Sequence, residues 1–402
     1  ITGSDATLNT NGNISLTSDA AITMDDGTTI STNSGLVDVT AVNDITVSAI
    51  STPSGEVRID TTTGAVIDGG DSDIDITAAS AAIQAATGIG ATDALETAIS
   101  NLAFDNSDSG LVNISNTGNL TISNVNGVAS SQNNNADAKL TVNGDLDIAE
   151  DIALGTGNLL LSVTGNVTQQ AGDDITAAGL ALMVGGTTTL QNAGNDVTTF
   201  AANNDGETLY TDANGLTVGT IIVGGMPITG ITTSGDNVKL TTGGDLMITQ
   251  AVAVGAGSLF LAVIGDVTQT AAISGTDLAL MVSGTTTLTS VGNAFTTLAA
   301  NNGGTTRYTD ADALNVGAVT VDGMTVTGIT TSDDDVRLTT GSDLNINETV
   351  AVGGGNLLLD ITGNVAQTAA ITGTGLALNV TGTTILTNTG NDFTTIATNN
   401  GD

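Results

Sequence analysis

Three stretches of this chain are near copies of one another: GDLDIAEDIALGTGNLLLSVTGNVTQQAG from Gly144, GDLMITQAVAVGAGSLFLAVIGDVTQTAA from Gly244 and SDLNINETVAVGGGNLLLDITGNVAQTAA from Ser342. Leu180, Leu278 and Leu376 open LALMV, LALMV and LALNV at a spacing of 98 residues, and Asn195, Asn293 and Asn391 keep the same spacing. Tyr210 and Tyr308 recur in LYTDANGLTVG and RYTDADALNVG, and Met226 and Met324 in VGGMPITGITT and VDGMTVTGITT. The copies run over 142–241, 242–339 and a truncated 340–402, after an irregular region at 1–141. A chain repeats in this way when one unit cannot bury its own apolar face and must stack on a copy.

Each copy has a finer grain. Short runs such as DLMIT, VKLTT, VRIDT and DITVS alternate apolar with polar residues, which puts Leu246 and Ile248 on one face and Met247 and Thr249 on the other. Gly, Asn and Asp, the residues that accept a positive φ at a corner, punctuate the runs. A sandwich or barrel closes on itself and gains nothing from tandem copies. A parallel β-helix does gain, because each coil covers the open edge of the one before. With about 20 residues per coil, the expectation is an all-β parallel β-helix (β-solenoid) of about 20 coils. One stretch departs from this grammar, the Ala-rich ITAASAAIQAATGIGATDALETAISNLAFD near 76–105, expected as a short helix or a protruding loop.

Composition narrows function mainly by exclusion. The chain carries 42 Asp and Glu against five basic residues, Arg58, Lys139, Lys239, Arg307 and Arg337, for a net charge of −37. Such a surface repels phosphate backbones, and aromatic residues for base stacking make up only 2%, so nucleic acid is not an expected partner. With no Cys and no His, thiol chemistry, disulfides, Cys/His zinc sites and His-based catalysis are excluded. No apolar run approaches the roughly 18 residues that argue for a membrane-spanning helix, so no transmembrane segment is expected. No signal peptide is visible from Ile1, and the sequence stops within a repeat, which reads as part of something longer.

The runs TGIGATDALETAISNLAFDNSDSGLVNISNTGNLTI (87–122), TDANGLTVGTIIVGG (211–225) and GNDFTTIATNNGD (390–402) extend the pattern over most of the chain. In these words the chain resembles the shaft of filamentous-haemagglutinin-like adhesins, large exported proteins of Gram-negative bacteria. The resemblance implies a right-handed β-helix, secreted or displayed at the cell surface. The NPNG-type motif of that family's secretion domain is not present in this sequence.

Carboxylates are almost the only reactive groups, so candidate chemistry starts with them. Asp333, Asp334 and Asp335 precede the strand VRLTT, and Asp68, Asp71, Asp73 and Asp75 form DGGDSDID. Calcium takes six to eight oxygen ligands, which makes Asp333, Asp334 and Asp335 its candidate ligands; the competing reading is a solvated turn. The second copy has SGDN in place of SDDD, so the triple acid does not follow the repeat. Two carboxylates suffice for glycoside hydrolysis in principle, but Lys239 and Arg337 hold one position in two copies, as a shaft feature does. Catalytic residues and cofactors are therefore expected to be none, apart from that calcium candidate. VGGGNLLL at 352–359 lacks the lysine of a phosphate loop. Tyr210 and Tyr308 read as caps on the apolar interior, with glycan stacking as the rival. The leading expectation is a non-enzymatic adhesin shaft whose partners are neighbouring repeats, copies of itself end to end, or a host surface or glycan. A self-assembling filament subunit is the alternative, and a polysaccharide-binding or -cleaving β-helix the third.

Overall fold

A computed structural model describes residues 7–10, 12–70 and 72–401. The chain divides into two compact units, one of residues 1–198 with 221–228, the other of 199–220 with 229–402. Each is a stack of parallel coils with the expected right-handed parallel β-helix fold, and the turns number about 18 in all. The described residues contain no helix.

In the first unit Ala138 pairs with Leu159 and Leu159 with Leu180, a step of 21 residues each time. A second column runs through Leu120, Leu146, Val167 and Thr188. Parallel in-register pairing sets like residues above like, so the inward residue of every short strand stacks on its counterpart one coil away. That is why period-two alternation suffices to build a core with almost no aromatic residues. Val37, Val57, Ile83, Leu102 and Leu140 are all fully buried in it.

In the second unit the columns show how the 98-residue copy relates to the coil. Val238 stacks through Leu259, Leu278 and Leu298 to Val316. Leu246 stacks through Val267, Thr286 and Thr306 to Val336. Val336 is the sequence counterpart of Val238, yet it lies in the column of Leu246. A copy is thus four coils plus one column, and each equivalent feature moves to the next face of the coil.

Two expectations need correction. The stretch near 76–105 is not helical: it forms strands Ile76–Ala85, Leu95–Ala98 and Asn101–Asn106. Ala82 and Ala103 lie under a turn described below, and Ala81 and Ala82 pair in register with Leu102 and Ala103. The coil count falls short of 20 because some coils carry inserts: Thr208 pairs with Val238, a step of 30 residues, and Thr306 with Val336, again 30. The inserts are β-hairpins, and they bear directly on function.

Candidate functional site

Three carboxylates converge in the first unit. Asp68 ends strand Val66–Asp68 on the inward side of its alternation, Asp75 precedes Ile76, and Glu96 sits in strand Leu95–Ala98. Oxygens of the three lie within 4.8 Å of one another, with Asp68 and Asp75 buried and Glu96 half-buried. Asp75 and Glu96 are joined coil to coil: the Glu96 amide donates to Asp75 Oδ2 at 2.9 Å, and the Asp75 amide to the Glu96 carbonyl at 2.9 Å. Asp68 Oδ2 accepts from the Gly70 amide at 3.0 Å. Like charges at this spacing repel, and a hard cation such as calcium is the chemistry that would neutralise them. Asp68 and Asp75 belong to the acidic run read from the sequence. Asp73 is exposed, and Asp71 lies outside the described residues. Glu96 went unnoticed, although adding the 21-residue coil step to Asp75 leads to it.

Asp333, Asp334 and Asp335 are not brought together in the same way. Asp333, at φ 73°, holds a corner and accepts from the Gly354 amide at 2.7 Å. Asp335 accepts from the Asn356 amide at 2.8 Å and its side-chain amide at 3.0 Å. The Asp334 carbonyl accepts from Thr331 Oγ1 at 2.7 Å. Asp333 and Asp335 tie one coil to the next, a role that recurs along both units. Asp145 accepts from the Asn166 amide at 2.8 Å, Asp245 from the Asp266 amide at 2.8 Å, and Asp343 from the Asn364 amide at 2.6 Å. The repeated Asn residues do related work inside. Asn293 and Gln269 exchange side-chain hydrogen bonds at 2.8 Å in each direction, and Gln367 and Asn391 at 2.9 and 2.7 Å.

Tyr210 and Tyr308 are interior, each 1% exposed, so neither offers a stacking platform to a glycan. Their hydroxyls donate to Asp212 at 2.8 Å and Asp310 at 2.6 Å. Burial pushes the Tyr308 hydroxyl above its ordinary value, reinforced by the Asp310 charge. Burial also raises the Asp310 carboxyl, against the lowering effect of its bonds from Tyr308, Asp312 and Phe295. Phe200 stacks on Tyr210 with ring centroids 4.6 Å apart. Phe295 is buried, while Phe393 is partly exposed.

The feature that sequence reading missed is a set of turns folded back over the outer face. The second unit shows it most fully. Strands Ala318–Val321 and Met324–Thr327 form an antiparallel hairpin closed by Asp322 (φ 50°) and Gly323 (φ 70°). Two positive φ values in succession are the type I′ turn that matches strand twist, and Asp-Gly is a preferred pair for it. Val319, Val321 and Val326 cover outward-facing Phe260, Ala279 and Ala299. Those three are register partners on successive coils, and Lys239 heads their column. The hairpin tip reaches back to that head, where Lys239 Nζ lies 2.9 Å from Asp322 Oδ2.

The first unit carries two relatives of this device. Gly224 (φ 56°) and Gly225 (φ 79°) turn the 221–228 hairpin. A Cβ added to Gly224 would lie 3.8 Å from Leu111 and 3.9 Å from the Lys139 stem. Lys139 heads a column through Leu160 and Ala181. A tighter turn, Asn126 (φ 52°) and Gly127 (φ 84°), sets Val125 and Val128 over Ala82 and Ala103. Arg58 pairs with Ala82 in the coil before. The repeated basic position of the sequence is therefore the head of an apolar outer column.

No family model, curated protein or solved structure matches this chain. No helix among the described residues is long and apolar enough to cross a membrane.

Proposed function

We propose that this chain is the non-enzymatic shaft of a secreted or surface-displayed bacterial adhesin, a rigid spacer that holds an adhesive tip away from the cell. The observation that carries the reading is the use made of the polar side chains. Asp, Asn and Gln recur at fixed registers and bond one coil to the next, as in the Asp245–Asp266 and Gln269–Asn293 contacts and their counterparts in the other copies. Chemistry repeated at every copy serves extension. Backbone hydrogen bonds run along the stacking direction and add about 4.8 Å per coil, which resists stretching without any further device.

Deleting residues 242–339 tests this. The remaining halves rejoin at equivalent positions, so the expected product is a folded chain shorter by about 20 Å, four coils and a fraction at the strand spacing. Small-angle scattering reads that length. Global unfolding after the deletion would count against a spacer built of interchangeable copies. Two further assays address the finer parts of the proposal. Reducing-sugar release from a panel of polysaccharides sinks the non-enzymatic reading, and recovery of the native protein from the cytoplasm sinks the surface one.

A further inference from the structure

Hairpins 221–228 and 318–327 are lids over equivalent outer columns, and their tips differ by one residue. Asp322 holds the first turn position in VDGM, and Gly224, 98 residues earlier, holds it in VGGM. Both positions are left-handed, at φ 50° and 56°, so the turn is the same and the carboxylate is the difference. In the second unit that carboxylate meets the column head, with Asp322 Oδ2 2.9 Å from Lys239 Nζ. In the first unit the head is Lys139, which makes no ion pair among the described residues.

The turn at Gly224 leaves room for an acid. A Cβ placed there lies 3.8 Å from Leu111 and 3.9 Å from Lys139 Cδ, ordinary van der Waals contact, with no closer neighbour. A short carbon unit thus fits along the Lys139 stem without displacing anything. The surroundings are also more polar than in the second unit. The residue stacked one coil before the head is buried Leu209 in the second unit and Asn113 in the first. Asn113 Oδ1 is buried and accepts no hydrogen bond among the described residues. A buried acceptor without a donor is costly, and a ligand hydroxyl supplies that donor.

We infer that Lys139, Asn113 and the Gly224 turn form a binding site for a small 2-hydroxy carboxylate. Its carboxylate pairs with Lys139 Nζ, in the place that Asp322 takes beside Lys239, and its hydroxyl donates to Asn113 Oδ1. A charge-assisted bond and a neutral one then hold the two ends of one short molecule. The net charge of −37 repels large polyanions, which favours a small acid with a single charge.

The chain has two lysines, so isotope labelling of lysine side chains in the intact protein gives one NMR signal per head. Glycolate, exchanged for chloride at constant ionic strength, should move the Lys139 signal to saturation. Lys239, already paired with Asp322, should stay in place. Acetate lacks the hydroxyl and should bind about fivefold more weakly. Gly224→Asp carries the second tip into the first unit and should abolish the Lys139 response with the circular dichroism unchanged. Asp322→Gly is the reciprocal change. It should make Lys239 respond to glycolate and acetate alike, since Leu209 offers no acceptor. Four results overturn the inference. The Lys139 signal stays still up to roughly 200 mM glycolate, where even one exposed ion pair would register; both lysines of the native chain move together, as salt screening would cause; Gly224→Asp leaves the response intact; or acetate binds as tightly as glycolate, which removes the hydroxyl from the site.

Discussion

Copies two and three are built from nearly the same words, yet their outer faces differ. In SLFLAV (258–263) the outward Phe260 is buried under Val319, Val321 and Val326. In NLLLDI (356–361) the outward Leu358 remains half open. The inward residues Leu259, Leu261, Leu357 and Leu359 are fully buried in both. The difference separates two sources of stability. Coil stacking holds the inward columns in every copy, whereas a local hairpin adds a second, smaller core on the outside only where it is present.

The largest test of that separation compares truncations. Phe260→Ala should cost about 3–5 kcal/mol, as for a fully buried aromatic, while Leu358→Ala should cost less than about 1.5 kcal/mol. Hydrogen exchange at amides of 258–263 and 356–361 reads each effect locally, which suits a repeat protein better than one global transition. Equal costs would break the comparison. Next comes the charge at the column head. Lys239 keeps 11% of its side chain exposed beside Asp322, so Lys239→Met should cost about 1–2 kcal/mol. Arg337 keeps 50% exposed beside Asp360, and Arg337→Met should cost less than about 0.5 kcal/mol.

A smaller effect tests the turn itself. A Cβ on Gly323 would meet no atom within 4 Å, so Gly323→Ala carries only the backbone strain of φ 70°, about 1 kcal/mol. Loosening should appear at Val319 and Val326 and leave the third copy untouched. The least effect is one of pH. Asp310, bonded to Tyr308 in the second copy, has a folded value raised above its ordinary 3.8 by burial. The folded state therefore binds the proton more tightly than the unfolded one. Stability from this group increases as pH falls from the raised value toward 3.8 and is lost as pH rises through the raised value. Asp310→Asn should flatten that slope in acid denaturation curves and leave the slope near Leu358 as it was.

Much of the fold was legible because period-two alternation and Gly or Asn corners act locally, and the 98-residue echo excludes closed architectures. The hairpins were not, although Asp322-Gly323 and Asn126-Gly127 are strong turn pairs: among so many glycine corners they read as one more bend. The better clue was a break in alternation. LFL at 259–261 and LAL at 278–280 place an apolar residue outward, which makes sense only if something covers it. The carboxylate cluster was half visible, since Asp68 and Asp75 are neighbours in sequence while Glu96 is a neighbour only through the coil step. Asp333 to Asp335 were visible as acids, but their corner role depends on amides 21 residues on.

Register is the claim on which the columns, the heads and the lids all depend. The natural chain has no cysteine, so a pair introduced at two positions reports on those positions alone. Thr141 and Ser162 are outward register partners on adjacent coils. Thr141→Cys with Ser162→Cys should close a disulfide quickly under mild oxidation. Thr141→Cys with Thr164→Cys should stay open, since its Cα separation exceeds the roughly 7 Å that a disulfide can span. Closure of the second pair as fast as the first would contradict parallel coils stacked in this register.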